Sequence, residues 1–263
     1  MTVFEAIVAL TKASWRMLQR HRRLVWFPIL EMVATLVALL VIVPLLGVTD
    51  NEIPWTHLLA IGATLEVIRV FFAVALTSQA LEALRGREPS IGAGLGAAVA
   101  RLPTVFMLAL VTAPVGFVLG VLGRSSRFAM RFARRVFGTA WALVTYLAIP
   151  VMVQERRGCI PSLKRSGELF RNTWGETALS EVGVRVVGAQ LAIAIIVIAV
   201  VLIRVLGESL FTALVLLAVA ACLIGIVVAL EAIYRAALYV FAAEGVVPEP
   251  FGGPELEDIW QVK

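Results

Sequence analysis

Glu66 and Arg69 stand three residues apart inside an apolar run, and Glu181 with Arg185 and Glu231 with Arg235 four apart near the expected cytoplasmic ends of two others, each pair acid first. On a helix these spacings put both charges on one face in the favoured order, so each pair can neutralise itself where an isolated charge would be costly. Glu31 also lies in an apolar run, and on its own segment the nearest basic residues are Arg22 and Arg23. It has three options: to carry a proton, to pair with Arg69 across helices, or to face water. These seven residues form a candidate intramembrane polar network. They could be a path for a small solute or a set of structural ion pairs.

A second constellation is GRSSRFAMRFARR, Gly123 to Arg135, with five arginines and no acid. At 100° per residue, Arg124, Arg127, Arg131, Arg134 and Arg135 share one arc, while Ala129, Met130, Ala133, Val136 and Phe137 face the other way. Such a helix would lie in the interface with its guanidinium groups at phosphate level. The five arginines are therefore candidate contacts for an anion or a lipid headgroup.

Other chemistry finds little footing. The histidines are His21 and His57, expected on opposite sides of a membrane, and HExxH and GxSxG motifs do not occur. Catalysis is not expected, and neither a cofactor nor a metal site is implied. Cys159 and Cys222 have no CxxC spacing and are expected to be unpaired. The glycines of IGAGLGAAVA, Ile91 to Ala100, lack the preceding strand of a nucleotide-binding βαβ unit. Ser90 reads instead as a helix cap and the glycines as sites of close helix packing.

Sixty per cent hydrophobic residues and a mean hydropathy of +0.95 place the chain outside the range of soluble domains. The net charge of +5 sits in clusters between apolar runs, as topology signals do, so nucleic-acid binding is not expected. A helix needs roughly 20 apolar residues to cross a hydrocarbon core of about 30 Å. Six runs qualify, at 24–46, 58–80, 102–122, 136–153, 182–206 and 210–230. The expected fold is all-α: one polytopic membrane domain with an amphipathic helix over 1–23, six spans and a tail over 244–263. Phe4, Ile7, Val8, Thr11, Trp15 and Leu18 share one face of that first helix, and Lys12, Arg16, Arg20 and Arg23 an adjacent one. It could lie in the headgroup layer or pack on the rest of the protein. The charges follow the apolar residues, so no cleaved signal peptide is expected.

With the amino terminus in the cytoplasm and six crossings, fifteen Lys and Arg fall inside and six outside. If the third run, weakened by Pro103, Pro114, Gly116 and Gly120, re-enters instead, the count is fourteen against seven and the segment 155–180 moves outside. Six crossings with both termini cytoplasmic is the preferred scheme, in a bacterial inner membrane.

Three blocks carry a family resemblance: RSGELFRNTWGE, Arg165 to Glu176, after IPVMVQE; VFFAVAL with ALEALRGREPSIGAGL around the end of the second run; and IYRAALYVFAAEGVVPEPF, Ile233 to Phe251. Together they resemble a bacterial six-helix membrane family known only as a domain of unknown function. SLKRSGELF is more distantly similar to membrane domains found beside some glycerophosphodiesterases. The resemblance implies six helices with cytoplasmic ends and supplies no reaction or substrate. The signature block itself reads as an amphipathic helix. Leu163, Leu169, Phe170 and Trp174 would pack inward, Lys164, Arg165 and Arg171 would meet headgroups, and Glu168 would pair with Arg165 or Arg171. Two functions follow as expectations. One is an oligomeric channel- or transport-like protein handling a small solute, ion or lipid; the other is a nonenzymatic scaffold binding anionic lipid or a protein partner. A homo-oligomer is expected because symmetry can supply a pathway where no internal repeat does.

Overall fold

The computed structural model describes residues 3–46, 54–124, 137–138, 140–174 and 209–252. Helices make up the described residues, without strands: α1 (Val3–Arg20), a 3-10 turn (Arg22–Val25), α2 (Trp26–Leu45), α3 (Trp55–Leu84), α4 (Ile91–Val99), α5 (Leu102–Arg124), α6 (Ala148–Gln154), α7 (Cys159–Trp174) and α8 (Leu210–Glu244). A short 3-10 turn follows at Glu249–Phe251. The all-helical expectation holds.

Among the described residues three helices are long and apolar enough to cross a membrane, Arg22–Leu45, Trp55–Leu84 and Ala218–Glu244. The bent pair Ile91–Val99 and Leu102–Gly116 makes a fourth if it counts as one span. The run expected at 182–206 lies outside the described residues. The run expected over 136–153 is helical over 140–154, shorter than a span, and broken at Leu147. Proline explains that break: Pro150 has no N–H to give to the carbonyl four residues back. The run expected to end at 230 continues in α8 to Glu244. Glu231 and Arg235 therefore lie within the helix, and not at its end as the apolar run alone suggests.

α3 is the central helix, touching α2, α4, α5, α6 and α8. Its carboxyl-terminal half is buried from Val74 to Leu81, while α2 leaves Val33, Leu36, Val37, Leu40 and Val41 exposed, as a lipid-facing helix does. Beyond Leu84 the chain turns at Gly86, whose φ of +75° suits a residue without Cβ. The N–H of Gly86 donates to the Ala83 carbonyl and that of Arg87 to Glu82, closing the helix in a Schellman motif. Gln79, buried in α3, then anchors the next helix: its Oε1 accepts from the Ser90 N–H at 2.8 Å, and Ser90 Oγ caps α4 by accepting from the Ala93 N–H. Of the three glycines expected to allow close packing, only Gly94 does so. A Cβ there would stand 2.5 Å from the Phe27 ring, whereas Gly92 and Gly96 face open space.

The third run is itself unbroken as α5, despite its prolines, and the bend lies ahead of it. α4 and α5 meet at 73°, and α5 runs through Pro114. Arg101 sits at the corner, donating from Nε to the Met152 carbonyl at 3.2 Å, from Nη2 to the Val153 carbonyl at 2.7 Å and from Nη1 to the Ala97 carbonyl at 3.1 Å. It thereby pins the corner to the last turn of α6, where a cation also meets the negative end of the helix dipole. Arg85 pairs with Glu244 at 2.7 Å, and Glu155 accepts from Tyr239 at 3.4 Å. The end of α3, the start of α5 and the ends of α6 and α8 thus share one end of the bundle. The 82–101 and 155–174 segments lie together there.

α1 packs on α8 and on the Glu249–Phe251 turn. Its buried face is Ala9, Ala13, Ser14, Met17 and Leu18, while Thr11 and Trp15 point outward. Of the apolar face expected on this helix, Leu18 docks, whereas Thr11 and Trp15 do not. Small side chains let two helix backbones approach, and a Trp stays outside where Lys12 and Arg16 also lie.

Candidate functional site

A cavity of about 470 Å³ opens among α3, α5, the helical residues 141–149 and α8. Its apolar wall includes Leu58, Leu59, Leu108, Trp141 and Ile149, and its polar wall is Glu66, Arg69, Thr112, Thr145, Tyr146 and Arg235. Arg69 grips Glu66 in a two-point bond, Nε to Oε2 at 2.8 Å and Nη2 to Oε1 at 2.6 Å. The i,i+3 spacing makes this geometry available within one helix. The Thr112 hydroxyl, from α5, reaches Glu66 Oε1 at 2.6 Å and ties the pair to a second helix.

Opposite, Arg235 donates from Nη2 to Glu231 Oε1 at 2.5 Å, and its guanidinium lies 4.7 Å over the Tyr146 ring. A cation over an aromatic face is stabilised by about 0.5–2 kcal/mol, the more so the less water reaches it. Arg235 Nε is buried and has no hydrogen-bond partner. Glu31, half-buried in α2, lies within electrostatic range of Arg69 and Glu66, and Glu231 within range of Arg69. The structure therefore brings Glu31, Glu66, Arg69, Glu231 and Arg235 into one cluster on three helices. Glu181 and Arg185 fall outside the described residues.

The signature helix α7 builds the wall behind Tyr146. Cys159, Ser162, Leu163, Ser166, Leu169, Phe170 and Thr173 are buried at helical spacing. Phe170 meets the Tyr146 ring edge-on, with centroids 6.4 Å apart. Ser166 Oγ accepts the Leu147 N–H at 3.0 Å, the backbone donor that the break leaves free. The expected pairing of Glu168 with Arg165 is replaced: Arg165 donates to Glu155 at 3.3 Å, and Glu155 also takes Arg157 at 2.6 Å. Glu155 wins because it projects from the facing end of α6. Ser166→Ala should cost about 1–3 kcal/mol by stranding a buried donor. Ser166→Thr, which keeps the acceptor, should cost less; thermal unfolding of both variants in one detergent measures the difference.

Of the expected headgroup contacts, Arg124 is the last residue of α5, and Arg127, Arg131, Arg134 and Arg135 lie outside the described residues. Thr112, Tyr146 and Arg101 were not singled out by sequence reasoning. Single polar residues in apolar runs carry no spacing signal until a partner helix is known. His21 lies beside Glu88, just beyond the end of α3, and His57 lies in its first turn, roughly 40 Å away along the helix. Both cysteines are free; Cys159 is buried, which pushes its thiol up. Among the described residues no three His, Cys, Asp or Glu side chains converge as metal ligands.

Residues 58–248, more than two thirds of the chain, match a model described as a family of unknown function, DUF6159. The chain belongs to this family. The match takes in the whole cavity wall, and α1 and α2 with Glu31 precede it. Comparison with curated proteins and with solved structures finds no match.

Proposed function

We propose that this DUF6159 member is a transport- or channel-like membrane protein that handles a small polar or charged solute, with the cavity as its binding chamber. One observation carries the reading: two ion pairs, Glu66–Arg69 and Glu231–Arg235, stand on apolar helices, and Glu66, Arg69 and Arg235 face a cavity large enough for a small solute. Purely structural pairs gain most by being sealed between helices, because exposure to a void forfeits contacts. Guanidinium and carboxylate groups around a chamber with an aromatic and aliphatic wall suit a small ion or zwitterion. A homo-oligomer in the bacterial inner membrane, with both termini cytoplasmic, is part of the proposal.

Water access is the first test. Gly62 lines the cavity, and a side chain there meets nothing within 4 Å. In a Cys159→Ala, Cys222→Ser background, Gly62→Cys should react with a charged methanethiosulfonate reagent at a rate within about tenfold of a loop cysteine. Proteoliposomes should then pass a small ion, read by chloride- and proton-sensitive dyes, and Glu66→Gln should change that flux. An unreactive Gly62→Cys together with flux no greater than in empty liposomes would leave the charges as a structural lock.

A further inference from the structure

A second depression, about 270 Å³ in volume, lies far from the cavity, between residues Gln19 to Arg23 and the Glu88–Pro89 pair. Its wall contains Arg20, His21, Arg22 and Arg23, four consecutive residues bearing nitrogen donors. The arginines are exposed, whereas the His21 side chain is only 8% exposed. His21 Nδ1 has no hydrogen-bond partner; the nearest carboxylate oxygen, from Glu88, is 3.9 Å away. A buried imidazole nitrogen left unsatisfied at the floor of a basic depression is costly unless something polar enters to meet it.

The position indicates what enters. Arg22 is the first residue of the first candidate span, so the depression lies where α2 leaves the hydrocarbon. α2 has 20 residues, about 30 Å at 1.5 Å per residue, which matches the core thickness and puts its amino-terminal end at headgroup depth. Trp26, in the first turn of α2, is 52% exposed, and Trp15 on α1 is exposed as well. Exposed Trp at such a boundary is characteristic of side chains seated among headgroups. We propose that the depression is a headgroup site for an anionic phospholipid, with the phosphate held between the guanidinium groups of Arg20, Arg22 and Arg23 and the His21 imidazole as a further donor.

The chemistry fits. Guanidinium forks match phosphate oxygens in two-point bonds. Arg23 already donates weakly to the Pro89 carbonyl at 3.5 Å, which steadies it at the rim. Three arginines against one acid, Glu88, leave an excess of two positive charges for a phosphodiester or phosphomonoester. Glu88 opposes the ligand, but its side chain is 79% exposed, so water screens it. Lys12 and Arg16 are exposed on α1 outside the depression and serve as controls of equal charge.

Calorimetric titration of the full chain in neutral maltoside micelles with dioctanoyl phosphatidylglycerol tests the site. Saturable binding is expected, with Arg22→Gln/Arg23→Gln weakening it at least tenfold, His21→Gln several-fold, and Lys12→Gln/Arg16→Gln less than twofold. Dioctanoyl phosphatidylcholine should not compete. Glu88→Gln, a change at an exposed residue, should tighten binding even if the arginine variants fold poorly. An equal loss from the Lys12/Arg16 control would mean a diffuse field and overturn the site. Competition by inorganic phosphate at the same concentration would make it a soluble-phosphate site and overturn the lipid assignment, as would Glu88→Gln without effect. None of these outcomes bears on the cavity.

Discussion

Arg69→Leu is expected to be among the most damaging single substitutions in the charged cluster. Arg69 neutralises Glu66 through two hydrogen bonds and lies within electrostatic range of Glu31 and Glu231. Its removal leaves Glu66 with Thr112 alone and Glu31 with no nearby cation on its own helix. An unpaired charge at the centre of a span costs about 3 kcal/mol, enough to lower the thermal unfolding temperature and the monodisperse yield sharply. The double variant Glu66→Leu/Arg69→Leu should recover most of that stability, because it removes the pair and not one partner. Flux separates stability from function: a stable double variant should lose solute movement if the cavity is the chamber. A double variant as damaged as Arg69→Leu alone would show that Arg69 is held for Glu31 or Glu231 and not for Glu66.

Gly94→Val is expected to have a comparably large effect, through packing alone. The missing Cβ of Gly94 would stand 2.5 and 2.7 Å from two atoms of the Phe27 ring and 2.9 Å from Gln79 Cγ. Neither neighbour can give way easily. Phe27 is fully buried, and Gln79 holds the Ser90 N–H that starts α4. Overpacking of this kind costs about 1–3 kcal/mol for the first carbons, and a branched side chain adds more. Gly92→Val and Gly96→Val, facing open space, should leave the unfolding temperature within a few degrees. Detergent-phase thermal unfolding of the three variants side by side reads the contrast. A Phe27→Ala/Gly94→Val double variant should recover part of the loss, since it removes the clashing ring.

Much of the local chemistry was legible because it is local. Glu66–Arg69 and Glu231–Arg235 are set by helical spacing, so their pairing needs no knowledge of the fold. The Ser90 cap is likewise a matter of four consecutive residues. The buried face of α7 was half legible: Leu163, Leu169 and Phe170 are where periodicity puts them. That the same face also carries Ser166 follows from the backbone donor released at Leu147, which belongs to another helix, whereas Ser162 donates locally to the Arg157 carbonyl. On α1 Leu18 docks where periodicity puts it, while Trp15 of the same expected face stays outside. Contact between helices rewards close approach at Ala9 and Ala13 over the bulk of Trp15.

By itself the sequence determined an all-helical membrane protein, the charged pairs within single helices and the clustering of basic segments, because hydrophobic transfer and helical periodicity act over a few residues at a time. Only the tertiary structure decided the rest. Thr112, Tyr146 and Arg235 line one cavity with Glu66 and Arg69, Arg101 staples a 73° corner to α6, and a buried His21 lines one depression with three arginines and Glu88. Each of these depends on how helices distant in sequence cross, and crossing is set by side-chain packing that no single segment contains.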